Sequence, residues 1–182
     1  EATRKAVKIA KESGCAVILD IDYRPVLWGL TVAGDGETRF VASATVTRKI
    51  KPFLSELDLI VGTEEEIMIS GGEQTIEKSL STIRSQSSAT VVLKRGAEGC
   101  MVYSKDSSSP VSARTFKIEV LNVLGAGDSF MSGFLRGWLK NESLVKCALY
   151  GNACGSLVVT RHGCSPSSPS FDEVEHFIRN FD

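Results

Sequence analysis

The sequence predicts an α/β protein with a mainly parallel sheet covered by helices. Two observations carry that expectation. Cys15–Asp20, Leu57–Val61 and Ala89–Lys94 are nearly continuous apolar runs, the pattern of strands buried on both faces, and helix-periodic segments lie between them. Further on, Leu121-Asn122-Val123-Leu124-Gly125-Ala126-Gly127-Asp128-Ser129-Phe130 turns sharply at two glycines and opens an apolar, periodic helix that runs to Leu139.

Composition narrows the class. The chain has 182 residues, enough for one domain with a sizeable core. With 42% hydrophobic and 24% charged residues it is globular and not disordered. A net charge of −1 offers no electrostatic reason for a nucleic acid or an anionic membrane as partner. No apolar run reaches membrane-spanning length, and the first 20 residues lack the pattern of a secretory signal. The five cysteines (Cys15, Cys100, Cys147, Cys154, Cys164) are scattered and show no zinc spacing, so free thiols and a cytoplasmic location are expected.

The elements follow in order. Glu1–Ser13 reads as an amphipathic helix closed by Gly14. The strand that ends at Asp20 delivers Asp22, Tyr23, Arg24, Pro25 and Trp28 to its carboxyl end, where ligands of open α/β sheets bind. Residues 29–40, with Gly29, Gly34, Asp35, Gly36 and Glu37, read as a surface loop. A helix is expected over Ser43–Leu54, then the strand at Leu57–Val61 and its continuation Gly62-Thr63-Glu64-Glu65-Glu66. Thr63 can cap the helix it precedes, and Glu66 stands at the capping-box position. Gly71-Gly72 breaks the chain, and Gln74–Arg84 reads as another helix.

The strand at Ala89–Lys94 runs into Arg95-Gly96-Ala97-Glu98-Gly99, a glycine-spaced turn suited either to a phosphate or sugar edge or to a plain hairpin. Residues 104–112 are a polar loop, and Val111–Val120 is expected as a strand. After the helix over 126–140, a second helix is expected at Leu144–Val159, a loop at Arg161–Pro166, and an amphipathic helix at Phe171–Phe181.

The Gly125–Asp128 turn carries the chemistry. The first amides of a helix lack intrahelical partners and sit at the positive end of its dipole, so the turn is an anion site. A carboxylate beside it, Asp128, repels phosphate unless it has a task such as accepting a proton. Ser129, Gly133 and Gly137 recur every four residues and are expected to let the helix lie close to a sheet. Phe130, Phe134 and Trp138 form the neighbouring apolar stripe.

The ordered set of strand with acidic loop, strand with TEEE, strand with KRGAEG and strand with GAGD and helix resembles the C-terminal part of the ribokinase-like (PfkB) family of carbohydrate kinases. The wording of Asp20–Gly29, Val61–Glu66 and Asn122–Asp128 points to a branch of it that acts on a sugar acid. The resemblance implies a ribokinase-like three-layer α/β/α fold with a mainly parallel sheet. It implies ATP and Mg2+, with a sugar or sugar acid as the small-molecule substrate and a homodimer as a candidate assembly.

It also implies roles for individual residues. Asp128 is expected as the general base, and the amides of Gly125, Ala126 and Gly127 as the anion hole. Lys94, Gly96 and Gly99 match the turn that borders the nucleotide, Asn152 a residue beside the adenine, and Thr63 the first position of the NxxE motif. Glu66 matches the glutamate that organises magnesium through water, and Arg24 and Asp22 a polar segment that faces substrate.

Asn122 stands where the family often has aspartate, Leu124 where it has a hydroxyl residue, and Thr63 where it has asparagine. The first two positions lie near the monovalent-cation site of related kinases, so potassium dependence stays open. The chain is expected to be residues 1–182 of a single kinase domain's C-terminal, nucleotide-binding part, with the N-terminal part of the fold and its lid absent. Alone it is expected to be inactive. One rival is an esterase built on Gly127-Asp128-Ser129, which needs a distant Asp-x-x-His; its candidate, Asp172 and His176, is one residue too long. Another is a nucleotide-binding protein without activity. A Rossmann dinucleotide binder lacks its G-x-G-x-x-G.

Overall fold

The computed structural model describes residues 1–32 and 40–181, so Gly34, Asp35, Gly36 and Glu37 of the expected surface loop lie outside the described residues. The class is α/β as expected. The chain divides into two compact units, one of Glu1–Lys94 with Tyr103–Ser109, the other of Arg95–Val102 with Pro110–Asp182.

The first unit is built on three parallel strands, β1 (Ile18–Asp20), β2 (Leu59–Thr63) and β3 (Thr90–Lys94), paired in that order with Leu19 beside Ile60 and Ile60 beside Val91. Leu59, Ile60, Val61, Val91 and Val92 are fully buried. That is why the runs of β2 and β3 show no polar alternation, whereas the first run is strand only from Ile18 and is half-buried, with Cys15 exposed. Around them lie α1 (Ala2–Glu12), α2 (Ala44–Ile50), α3 (Glu64–Gly71) and α4 (Ile76–Gln86). The helix expected over Ser43–Leu54 is capped by the Ser43 hydroxyl as its sequence implies, but it tightens into a 3-10 turn at Lys51–Glu56. Pro52 is the cause, because it offers no N–H to continue the α ladder. Trp28 is exposed at the end of a 3-10 turn over Pro25–Trp28.

Asp58 ties this unit together ahead of β2. Its Oδ2 accepts from the Val17 amide (2.7 Å) and from Lys11 Nζ of α1 (2.9 Å). Burial works to raise its pKa, but the Val17 amide and the Lys11 ammonium outweigh burial and leave it below the ordinary carboxylate value. A lowered folded pKa means stability that is complete above about pH 4 and lost as pH falls through the folded value. Asp58→Asn is therefore expected to melt below the wild type at neutral pH, with the two curves converging in acid. A gap between them that stays constant from neutral pH into acid would refute this assignment.

The second unit opens with β4 (Cys100–Tyr103), antiparallel to β5 (Val111–Ser112), and is otherwise α5 (Ala126–Leu139), α6 (Leu144–Val159) and α7 (Phe171–Asn180). The expected strand over Val111–Val120 stops after two residues. Beyond it the carbonyls of Ala113 and Arg114 accept from the Asn152 side chain, and Phe116 and Ile118 turn into an apolar cluster with Tyr150, Ala153, Cys154 and Val174.

The small-residue stripe of α5 also faces elsewhere than expected. A Cβ on Gly133 would lie 2.5 Å from the Tyr150 carbonyl oxygen, and one on Gly137 would lie 3.0 Å from Cys147 Sγ. The stripe lets α5 approach α6, not a sheet. Burial pushes the Cys100 thiol up to about 12 and the Cys154 thiol up to about 11, so neither is a thiolate at neutral pH. All five cysteines are free.

Candidate active site

In the second unit, Gly125 is the N-cap of α5, in the left-handed conformation at φ 82°, and no side chain caps the helix. The Ala126 amide donates to the Val123 carbonyl (3.2 Å), and the Gly127 and Asp128 amides follow in the first turn. Asp128 is exposed there. A side chain at 125 would be strained by its positive φ and would lie 2.6 Å from Cys164 Sγ. The neighbouring Ser129 is the opposite case. It is 2% exposed and its hydroxyl donates to the Cys154 carbonyl (3.0 Å), which removes it as an esterase nucleophile.

The glycine-spaced turn is a 3-10 turn over Gly96–Glu98, closed by the Arg95 amide on the Gly99 carbonyl (2.8 Å) and braced by an Arg95–Glu98 ion pair. Gly96 and Gly99 both take positive φ, 57° and 77°. A Cβ on Gly99 would meet Thr115 at 2.7 Å and the Asn152 carboxamide at 2.8 Å. Asn152 Nδ2 donates to Arg114 O (3.1 Å) and more weakly to Ala113 O (3.4 Å), which fixes the amide's orientation. Its Oδ1 is buried and has no partner among the described residues. Such an orphan costs about 1–3 kcal/mol. Beside a glycine turn it fits a ligand that brings an N–H.

In the first unit the carboxyl ends of the strands carry a charged group. Lys94 Nζ, at the end of β3, lies 3.1 Å from Asp20 Oδ1 at the end of β1 and 3.8 Å from Glu66 Oε2 in the first turn of α3. Glu66 is 8% exposed, and both its oxygens are in use: Oε1 accepts from the Tyr23 amide (3.2 Å) and Oε2 from the Thr63 amide (2.7 Å). The second of these, with the Thr63 hydroxyl accepting from the Glu66 amide (3.4 Å), completes the capping box that the sequence implied. Each carboxylate oxygen keeps a further lone pair. Glu66 can therefore still accept from a water on a metal. Asp22 and Arg24 pair with each other (2.7 Å), both exposed, and Asp22 takes a positive φ of 37°.

Lys94, Thr63 and Glu66 are thus brought together, while Asp22 and Arg24 form a pair of their own. Asp20 was legible only as an acid at a strand end; nothing in the sequence marked it as the partner of Lys94. Asn122 was legible only as a departure from a motif. It bonds two backbone groups, the Leu124 amide (3.0 Å) and the Gly163 carbonyl (3.2 Å). No helix of the described residues is long and apolar enough to cross a membrane.

The chain is similar to known proteins in sequence and in fold. The family model for pfkB family carbohydrate kinases matches residues 30–170. The chain is 34% identical over 183 residues to the 5-dehydro-2-deoxygluconokinase of Bacillus licheniformis, covering 98% of this chain and 51% of that protein. It spans about half the length of the curated relatives it matches. Its fold superposes on an E. coli protein assigned as ribokinase II, solved with ATP and Mg2+, at a TM-score of 0.81, with 24% identity over 98% of this chain and 53% of the other. A double mutant of fructokinase from Vibrio cholerae O395, solved with fructose, ADP and a potassium ion, gives a TM-score of 0.75 and 27% identity over 97% of this chain and 54% of the other. The fold is ribokinase-like, and the chain belongs to the pfkB family of carbohydrate kinases.

Proposed function

We propose that the protein phosphorylates a hydroxyl group of a sugar or sugar acid with ATP, and that its acceptor is 5-dehydro-2-deoxygluconate, converted to the 6-phosphate in myo-inositol catabolism. The observation that carries the reading is the start of α5: an open helix N-terminus at a left-handed glycine, followed within the same turn by an exposed carboxylate. An anion hole and a proton acceptor are the two groups that in-line phosphoryl transfer asks of a protein. The choice of acceptor is supported by the relative's name and by the matching segments at Asp20–Gly29 and Asn122–Asp128.

In this reading Asp128 takes the proton of the attacking hydroxyl. The amides of Gly125, Ala126 and Gly127 receive the charge that develops on the transferred phosphoryl group, the Ala126 amide giving up its bond to the Val123 carbonyl to do so. Gly96, Gly99 and Asn152 border the nucleotide, with the unpartnered Asn152 Oδ1 facing a donor of the base. Lys94 and Thr63 join the nucleotide side, and Arg24 and Asp22 the substrate side. Magnesium, when bound, neutralises charge between the phosphates. Glu66 would hold it through water, as the lone pairs left on its carboxylate allow. The chain is the C-terminal, nucleotide-binding part of one kinase domain under this proposal.

The test is ADP release by the full gene product with ATP, Mg2+ and a panel of sugars and sugar acids. Preferred turnover of ribose, fructose, 2-keto-3-deoxygluconate or a nucleoside would overturn the acceptor and leave the kinase. Nucleotide binding without turnover of any acceptor would leave a non-catalytic binding protein. Ester hydrolysis without ATP would overturn the whole reading.

A further inference from the structure

The Asn122 carboxamide bridges two segments. Its Oδ1 accepts from the Leu124 amide and its Nδ2 donates to the Gly163 carbonyl. An amide faces one end and a carbonyl the other, so only one orientation of the group satisfies both. The turn that opens α5 is thereby joined to the loop that follows α6. The same segments meet again nearby. Cys164 Sγ occupies the space that a side chain on Gly125 would need, and the Leu121 and Asn122 amides both donate to the Val159 carbonyl (2.8 and 3.1 Å).

The potassium-bound fructokinase raises the question of a monovalent cation here. The residues at this place do not fit one. Hard cations are held by oxygens. The Gly163 carbonyl already accepts an N–H, and Asn122 presents that N–H toward it and not an oxygen. The Leu124 side chain is hydrocarbon and offers no oxygen.

We propose that the Asn122 amide does internally what a cation would otherwise do, holding the α5 turn to the 161–167 loop, so that the protein needs no monovalent cation. As a statement about catalysis this rests on the kinase reading above; as a statement about the fold it does not. Asn122 is a positioning residue, since it acts through the turn and not on the reacting atoms.

The experiment compares the full gene product in potassium chloride and in tetramethylammonium chloride at equal ionic strength, by ADP release and by thermal melting. The wild type is expected to keep its rate within about twofold and its Tm within about 1 °C between the two salts. Asn122→Asp loses the donor and sets a carboxylate against the Gly163 carbonyl. It is expected to lose about tenfold or more in rate in tetramethylammonium, and to recover rate and Tm in potassium. Asn122→Ala removes the bridge without adding a ligand, so potassium should not rescue it.

A wild-type Tm or rate that rises with potassium would overturn the proposal. So would an Asn122→Asp protein that matches the wild type in both salts. If no acceptor is turned over, the kinase reading fails while the melting comparison still decides the bridge. Should Asn122→Asp fold in neither salt, the wild type and Asn122→Ala decide it.

Discussion

Asp128→Asn in the full gene product is expected to lower turnover by about 10²–10⁴-fold, the usual cost of removing a general base. That corresponds to roughly 3–5 kcal/mol of transition-state stabilisation. The substitution keeps the size of the side chain and some of its hydrogen bonding, but an amide oxygen does not take a proton from a hydroxyl at neutral pH. Asp128 is exposed in the first turn of α5, so little packing depends on it. Nucleotide affinity is expected to hold or rise, because a negative charge next to the phosphates is gone.

Ser129→Ala is the control. Its buried hydroxyl donates to the Cys154 carbonyl, so its loss should leave the rate within a few-fold and cost stability of about 1 kcal/mol. Coupled ADP release and nucleotide titration read both variants. An Asp128→Asn protein that turns over at the wild-type rate would remove the base from this account, and a dead Ser129→Ala protein that is still folded would reopen the serine.

The second large effect is on folding. Gly133→Val is expected to destabilise the protein by about 2–4 kcal/mol, as overpacking of a tight helix contact does. A Cβ at this position would lie 2.5 Å from the Tyr150 carbonyl oxygen and 2.6 Å from Cys154 Sγ, and backbone has little room to yield. The gain in helix propensity on leaving glycine is only about 1 kcal/mol. The clash wins.

Gly155 reverses the balance. The nearest atom to a Cβ there is the Ala126 carbonyl oxygen at 3.6 Å, an ordinary contact, so Gly155→Ala is expected to be neutral or to gain up to about 1 kcal/mol. Urea midpoints at unchanged slope measure both. Equal stability of Gly133→Val and the wild type would mean that the close contact of α5 and α6 is not what the stripe serves.

Several features of this protein were determined by sequence alone, and each is local. The capping box of Thr63 and Glu66, the left-handed Gly72 that ends α3 and the left-handed Gly125 that opens α5 were legible from residues within four positions of each other. The buried character of β2 and β3 was legible because residues covered on both faces show no polar alternation.

The tertiary structure alone decided which surfaces those elements meet. A stripe of Ser129, Gly133 and Gly137 announces a close approach but is silent on the partner, and α6 took the place expected of a sheet. Val111–Val120 carries a strand's composition, yet Asn152, some forty residues later, takes the carbonyls of Ala113 and Arg114. Lys94 found Asp20 and Glu66, and Asn122 found Gly163, each from well outside its own element. Backbone propensity and capping act through neighbours in sequence. The pairing of a charge or a carboxamide with a distant partner is settled only when packing brings the two together.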